Sequence, residues 1–255
     1  MNNNQKTRKF CAVTLLIIAG FVLQATAQVI IPAATFVVNS TADTPDATLN
    51  GTCADASGNC TFRAAIQEAN NTTALDAISF NIAGAGTQVI TVTSVLPTVT
   101  NPVIIDGYTQ PGASANTLAV GNNAVLRIEL RATSFVGSQP FTIVGGNSTM
   151  RGLIVNLFQS FGGVQLSTNG INRIEGCWFG LNADGTASAS RDQVSIVINS
   201  GNGNIIGGLT PQSRNVMAVV GNNGSLVISG NTSNHIVQNN YIGTDPSGTQ
   251  KRTKH

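Results

Sequence analysis

Eleven carboxylates, two histidines and four cysteines are the groups in this 255-residue chain that could carry chemistry. Glycoside hydrolysis would require two carboxylates about 5–9.5 Å apart across a sugar bond. Beyond residue 70 the acids are Asp76, Asp106, Glu129, Glu175, Asp184, Asp192 and Asp245, and none lies within seven positions of another. A catalytic pair would therefore have to be assembled by stacking distant strands, for instance by bringing Glu129, Glu175 and a nearby arginine onto one face. In "RIELR" the side chains of Arg127, Glu129 and Arg131 alternate and point the same way along a strand, which reads as a solvated ion-pair row. His235 has no partners for a catalytic triad, and His255 belongs to a basic tail. No catalytic set and no cofactor-binding motif is expected.

Metal binding has one weak candidate. Asp43, Asp46 and Asp55 share a polar loop, and hard cations such as Ca²⁺ favour oxygen-rich loops. Turn chemistry accounts for the same aspartates, because Asp side chains hydrogen-bond neighbouring backbone. "NADGT" at 182–186 and "DPSGT" at 245–249 read as turns for the same reason. Cys53 and Cys60 flank "ADASGN", a turn-forming string. In an exported chain this pair reads as a disulfide. It lacks a C-x-x-C spacing or a nearby histidine for metal or redox work. Cys177, in "EGCWFG", reads as a small buried residue.

Export itself is expected from the start of the chain. Lys6, Arg8 and Lys9 precede a 14-residue apolar run, Phe10 to Leu23, and "ATA" at 25–27 offers a cleavage site. Such a run is shorter than the roughly 20 residues of a spanning helix, so residues 1–27 read as a secretory signal and no membrane span is expected after cleavage. An extracellular or cell-surface location is implied. Between residues 28 and 250 there are seven arginines, no lysine and all 11 acids, a net charge of −4. The pI of 8.4 therefore comes from the two ends, and no basic face for nucleic acid is expected. Hydrophobic content of 42% argues against a disordered linker.

"CTFRAAIQEANN", Cys60 to Asn71, reads plainly as a helix. Thr61 suits the N-cap, and Phe62, Ala65, Ile66 and Ala69 line one apolar face at helical spacing. Arg63, Gln67, Glu68 and Asn70 are expected away from that face or at its borders. So short a helix does not hold alone in water and must rest on an apolar surface.

That surface is expected in the remainder. From Leu153 onward Val/Ile-rich clusters begin at Leu153, Val164, Ile174, Val194, Ile205, Val216, Leu226 and Ile236, mostly 10–11 residues apart. "RIEGCWFGLNADGTA" from Arg173 also aligns with "IVQNNYIGTDPSGTQ" from Ile236 at an offset of 63. Short β-branched clusters at this period indicate strands of a solenoid. The expected fold is all-β, a parallel β-helix whose coils stack about 4.8 Å apart, with the disulfide and helix capping its front end. An antiparallel sandwich is the competing fold. Asn204, Asn215 and Asn234 each precede a cluster and are expected to stack at one corner from coil to coil. The far end shows no amphipathic element after Gln250, so a partner or further coils are expected there.

"FVVNSTADTPDATLNGTCADASGNCTFRAAIQEAN", Phe36 to Asn70, resembles the module named for its C-S-L-R-E-A motif. Here the motif reads Cys60-Thr61-Phe62-Arg63-Ala64-Ala65, with Cys, Arg and the last Ala kept. "VIIDGYTQPG" from Val103 and "IVQNNYIGTDPSGT" from Ile236 look like the right-handed parallel β-helix segments that follow this module in bacterial exported surface proteins. The resemblance implies a right-handed solenoid outside the cytoplasm, and no reaction. Residues 28–34 would be a linker, 35–112 the cap module with the first strands, 113–250 the coils and 251–255 a basic tail. Two functions are carried forward. The first is a non-catalytic surface, envelope or adhesion scaffold contacting polysaccharide. The second is a polysaccharide lyase or hydrolase of pectate-lyase-like fold.

Overall fold

In the computed structural model the described residues are 31–132, 141–156, 163–187, 195–218 and 224–252. The chain divides into Met1–Ile31 and Pro32–His255, and all the described regular elements belong to the second unit. The segment read as a signal, Asp192 and His255 lie outside the described residues.

One α-helix occurs among the described residues, α1 (Phe62–Asn70), and nearly everything else regular is strand. A seven-stranded sheet contains β1 (Thr35–Val38), β2 (Asp76–Phe80), β4 (Val103–Asp106), β7 (Thr149–Arg151), β10 (Arg173–Glu175), β13 (Ile205–Gly207) and β16 (Ile236–Gln238). A second sheet holds β3 (Gln88–Val92), β5 (Ile128–Ala132), β8 (Ile154–Asn156), β11 (Trp178–Phe179), β14 (Val216–Met217) and β17 (Tyr241–Ile242). The third consists of β6 (Phe141–Gly145), β9 (Val164–Asn169), β12 (Ile196–Ile198) and β15 (Leu226–Ile228). Every pairing within these sheets is parallel, and from β4 to β17 the chain visits the three sheets in strict rotation. Parallel strands throughout exclude the antiparallel sandwich.

Strand register explains the sequence pattern. Phe36, Ile78, Ile105, Met150, Ile174, Ile206 and Val237 form one inward column of the first sheet. Ile90, Leu130, Val155, Phe179, Met217 and Ile242 do the same in the second. Ile143, Leu166, Ile198 and Ile228 belong to the third. Residues of all three sheets meet in one apolar core. The offset of 63 is two steps of this register, since Arg173 pairs with Ile205 and Ile205 with Ile236. Some clusters are not single strands. "IEGCWFG" bends between β10 and β11 at Gly176 (φ 61°), and "IVQNNYIG" bends at Asn239 (φ 58°), where a left-handed residue turns the chain into the next sheet.

α1 closes the core at the β1 end. Phe62, Ala65, Ile66 and Ala69 are all buried, and Phe62 packs against Phe80 and Phe141 at centroid distances of 5.9 and 5.8 Å. Thr61 caps the helix by accepting from the Ala64 N–H at 3.0 Å. The Cys53–Cys60 disulfide is formed and fixes the residue before that cap. The opposite helix face is covered as well, with Arg63 and Glu68 both buried. Loops from residues 43–51 and 94–95 fold over that face, and their backbone supplies the partners that let two charged groups leave water.

The outer face of the second sheet is covered too. Residues 113–127 join none of the three sheets. They cross the second sheet's outer face so that Ala124 and Leu126 pack with Ile154, Trp178, Leu181 and Val216 in a separate apolar cluster. Nothing in the 10–11-residue period announces this strap.

Candidate functional site

The asparagines do stack, but not at one corner. Before the first sheet, Asn172 donates from its N–H and Nδ2 to Oδ1 of Asn204, at 3.0 and 3.1 Å. Ser148 donates to Asn172 from above, and the Asn204 N–H reaches Nδ1 of His235 at 3.2 Å. Asn215 belongs to a different corner, before the second sheet, where its Nδ2 donates to Oδ1 of Asn240 at 2.9 Å and its Oδ1 accepts from the Cys177 N–H at 2.9 Å. Asn234 has φ 59° and serves as a turn residue, leaving the ladder position to His235. His235 therefore acts as the ladder's end member. These ladders satisfy buried backbone donors at the bends, where strand pairing cannot.

Outward charges form rows set by the same register. Asp106, Arg151 and Glu175 occupy matched positions on β4, β7 and β10. Arg151 Nη2 meets Asp106 Oδ2 at 2.6 Å, and this bond raises the arginine's pKa further above its usual value. Glu175 accepts from Ser213 Oγ at 3.1 Å and lies 3.6 Å from Arg173. Beside the row, Tyr108 donates its hydroxyl to the Gly176 carbonyl at 2.9 Å. Burial drives the tyrosine's pKa upward, so the group stays a neutral donor. Cys177 lies behind, fully buried, and burial pushes its thiol up to about 12. A thiol held protonated in this way is no nucleophile.

On the second sheet Glu129 is 2% exposed. Its Oε1 accepts from Arg131 Nε at 2.7 Å and from Asn156 Nδ2 at 2.9 Å. The expected solvated row is thus corrected: Glu129 is buried beside Asn156 of β8, while Arg127 turns to the Gly112 carbonyl at 3.3 Å. Glu129 and Glu175 sit on different sheets and do not share a face. Arg214, which sequence reading did not single out, ties the strap down. It donates to the carbonyls of Leu118, Ala119 and Gly121 and to Asn239 Oδ1, and its guanidinium lies 4.7 Å from the Tyr241 ring centroid. The strap carbonyls that Arg214 reaches lie 93–96 residues from it, and Arg151 lies 45 residues from Asp106, so local sequence does not mark these contacts.

The three candidate calcium ligands are engaged by the chain itself. Asp43 takes Arg63 at 3.0 and 2.9 Å and the Thr93 N–H at 2.7 Å. Asp46 accepts from the N–H groups of Thr48 and Ala54. Asp55 accepts from the Thr44 hydroxyl at 2.5 Å and from the N–H groups of Ser57 and Asn59, bonds that lower its pKa. Among the described residues no group of three or more His, Cys, Asp or Glu converges as a metal site. Asp184 is likewise a turn former, its pKa lowered by the Thr186 hydroxyl and N–H. No described helix is long and apolar enough to cross a membrane.

Comparison with models of protein families, with curated proteins and with solved structures finds no match to this chain.

Proposed function

We propose that this protein is a non-catalytic surface or cell-envelope scaffold of bacterial type, exported by its N-terminal signal, that contacts polysaccharide along its outward strand rows. In this reading the three parallel sheets are faces of a right-handed parallel β-helix, fronted by a C-S-L-R-E-A-type cap module. The strict rotation of strands, with register steps of 32 and 31 residues from β10 to β13 and from β13 to β16, supports the solenoid. One observation carries the functional reading: each carboxylate of the outward rows, Asp106, Glu129 and Glu175, is bonded to arginine, asparagine or serine of the chain. A general acid or nucleophile so engaged would have to break those bonds to act.

The far end of the stack supports a longer assembly. Ile228, Val237 and Ile242 continue inward columns whose neighbours Ile198, Ile206 and Met217 are buried, yet they are 47%, 40% and 48% exposed. Further coils or a partner cover them in this proposal.

A polysaccharide panel tests the reading with two readouts. Binding without release of reducing ends or unsaturated uronates is expected. Robust turnover lost in Glu129→Gln or Glu175→Gln would replace the scaffold with a lyase or hydrolase.

A further inference from the structure

Among the described residues the edge strand β1 has one side paired with β2 and one side that joins no strand. Ala77 and Asn81 donate to the carbonyls of Ala34 and Val38, at 2.9 and 2.8 Å, so the even-numbered residues of β1 face β2. In a parallel ladder the N–H and C=O of a given residue point the same way, and successive residues alternate. The main-chain groups of Thr35 and Val37 therefore face away from the sheet. On that side the Asn39 N–H donates to the Cys60 carbonyl at 3.0 Å and closes one end of a groove of about 280 Å³.

The opposite wall is built. Gly51 and Thr52 line it together with the Cys53–Cys60 disulfide. Buried Glu68 holds this wall by accepting from the N–H groups of Asn50 and Gly51, both at 2.9 Å. No lining residue carries an ionisable side chain, so an ion has nothing to pair with. What the groove offers is main-chain donors and acceptors at strand spacing, beside the half-exposed Val37. Natural edge strands are usually guarded by lysine, proline or a bulge. "TFVV" has no lysine or proline, and its four-residue register with β2 is unbroken.

We propose that this groove binds an extended polypeptide, which adds a strand to the free edge of β1 through the main-chain groups of Thr35 and Val37. Polypeptide is the ligand class because it alone among common biopolymers presents both an N–H and a C=O at every strand repeat.

The test uses the full chain and a fluorescein-labelled synthetic peptide of residues 75–82, the segment β1 pairs with on its other side. Saturable anisotropy is expected, with amide exchange at Thr35 and Val37 slowed in the complex. Val37→Pro removes only the outward N–H, a position where edge strands tolerate proline. It is expected to weaken binding by about tenfold or more, with the urea midpoint unchanged. Val37→Lys, which guards the edge without touching the backbone, should do the same and serves if the proline variant unfolds. Equal binding by Val37→Lys, or no saturable binding by the wild type, overturns the proposal. Self-association of the wild type lost in Val37→Lys would also overturn it, by making a second copy the occupant.

Discussion

Arg63 and Asp43, 20 residues apart, form a two-point pair: Nε meets Oδ1 at 3.0 Å and Nη2 meets Oδ2 at 2.9 Å. Their side chains are 9% and 4% exposed. The remaining guanidinium donors reach the carbonyls of Ser94 and Val95, both at 2.8 Å. One helix residue thus joins the loop carrying Asp43 to the turn after β3.

Removing one partner strands the other charge away from water. Arg63→Ala or Asp43→Ala is expected to cost about 3–5 kcal/mol, the range for a broken buried pair. Urea unfolding followed by circular dichroism measures it. A loss below about 1 kcal/mol, as for surface pairs, would mean the pair is solvated.

The disulfide acts on the unfolded chain. Closing the loop from Cys53 to Cys60 should contribute about 2.5 kcal/mol on a chain-entropy estimate. Cys53→Ser/Cys60→Ser should lower the urea midpoint accordingly while keeping the far-UV spectrum, because α1 remains capped by Thr61 and pinned by Arg63. A lost helix signal would show that the disulfide defines the fold.

Asn204→Ala leaves the buried N–H of Asn172 without an acceptor, and a loss of about 1–3 kcal/mol is expected. Amide exchange at Asn172 should accelerate more than at residues of β5, which lies in a different sheet. Uniform acceleration would refute a local role for the ladder.

Close backbone approach leaves no room for a side chain at several glycines, Gly170 most of all. A Cβ on Gly170 would lie 1.8 Å from the Asn202 carbonyl oxygen. Gly58 has open space around its Cβ position and φ +82°. Gly58→Ala should therefore cost only about 1–2 kcal/mol for the left-handed backbone. Gly170→Ala should cost about 3 kcal/mol or more, as overpacking against backbone does. Melting temperatures of the two variants decide it; equal losses would show that the bend relaxes freely.

Cys177 gives the fold a pH signature. Its thiol is raised by burial from an ordinary value of 9.0 to about 12. The unfolded chain releases this proton first, so the contribution is intact below about pH 9 and is lost as pH rises toward 12. Cys177→Ala should flatten the decline of stability across that window. In a Cys11→Ser background the native protein should also resist a thiol reagent at pH 8 and react on unfolding. Fast native labelling would contradict the burial.

Much of this molecule is legible residue by residue. The disulfide follows from Cys53, a turn-forming string and Cys60, all within one loop. The buried face of α1 follows from Phe62, Ala65, Ile66 and Ala69, whose spacing only a helix aligns. The strand clusters and the 63-residue offset follow from β-branched runs that repeat because successive strands of the three sheets fill the same core. Each of these signals is local or periodic.

Tertiary structure alone decided the rest. Glu68 and Arg63 became buried because loops 18 and 32 residues away brought them backbone partners. Glu129 left solvent once β8 carried Asn156 alongside it, and Asn215 parted from Asn204 because the two precede different sheets. The strap reaches furthest: the Gly121 N–H donates to the Tyr241 hydroxyl across 120 residues. Such contacts depend on which strand lies beside which. Hydrophobic period sets that a strand faces inward, whereas register and loop path set what its outward side meets.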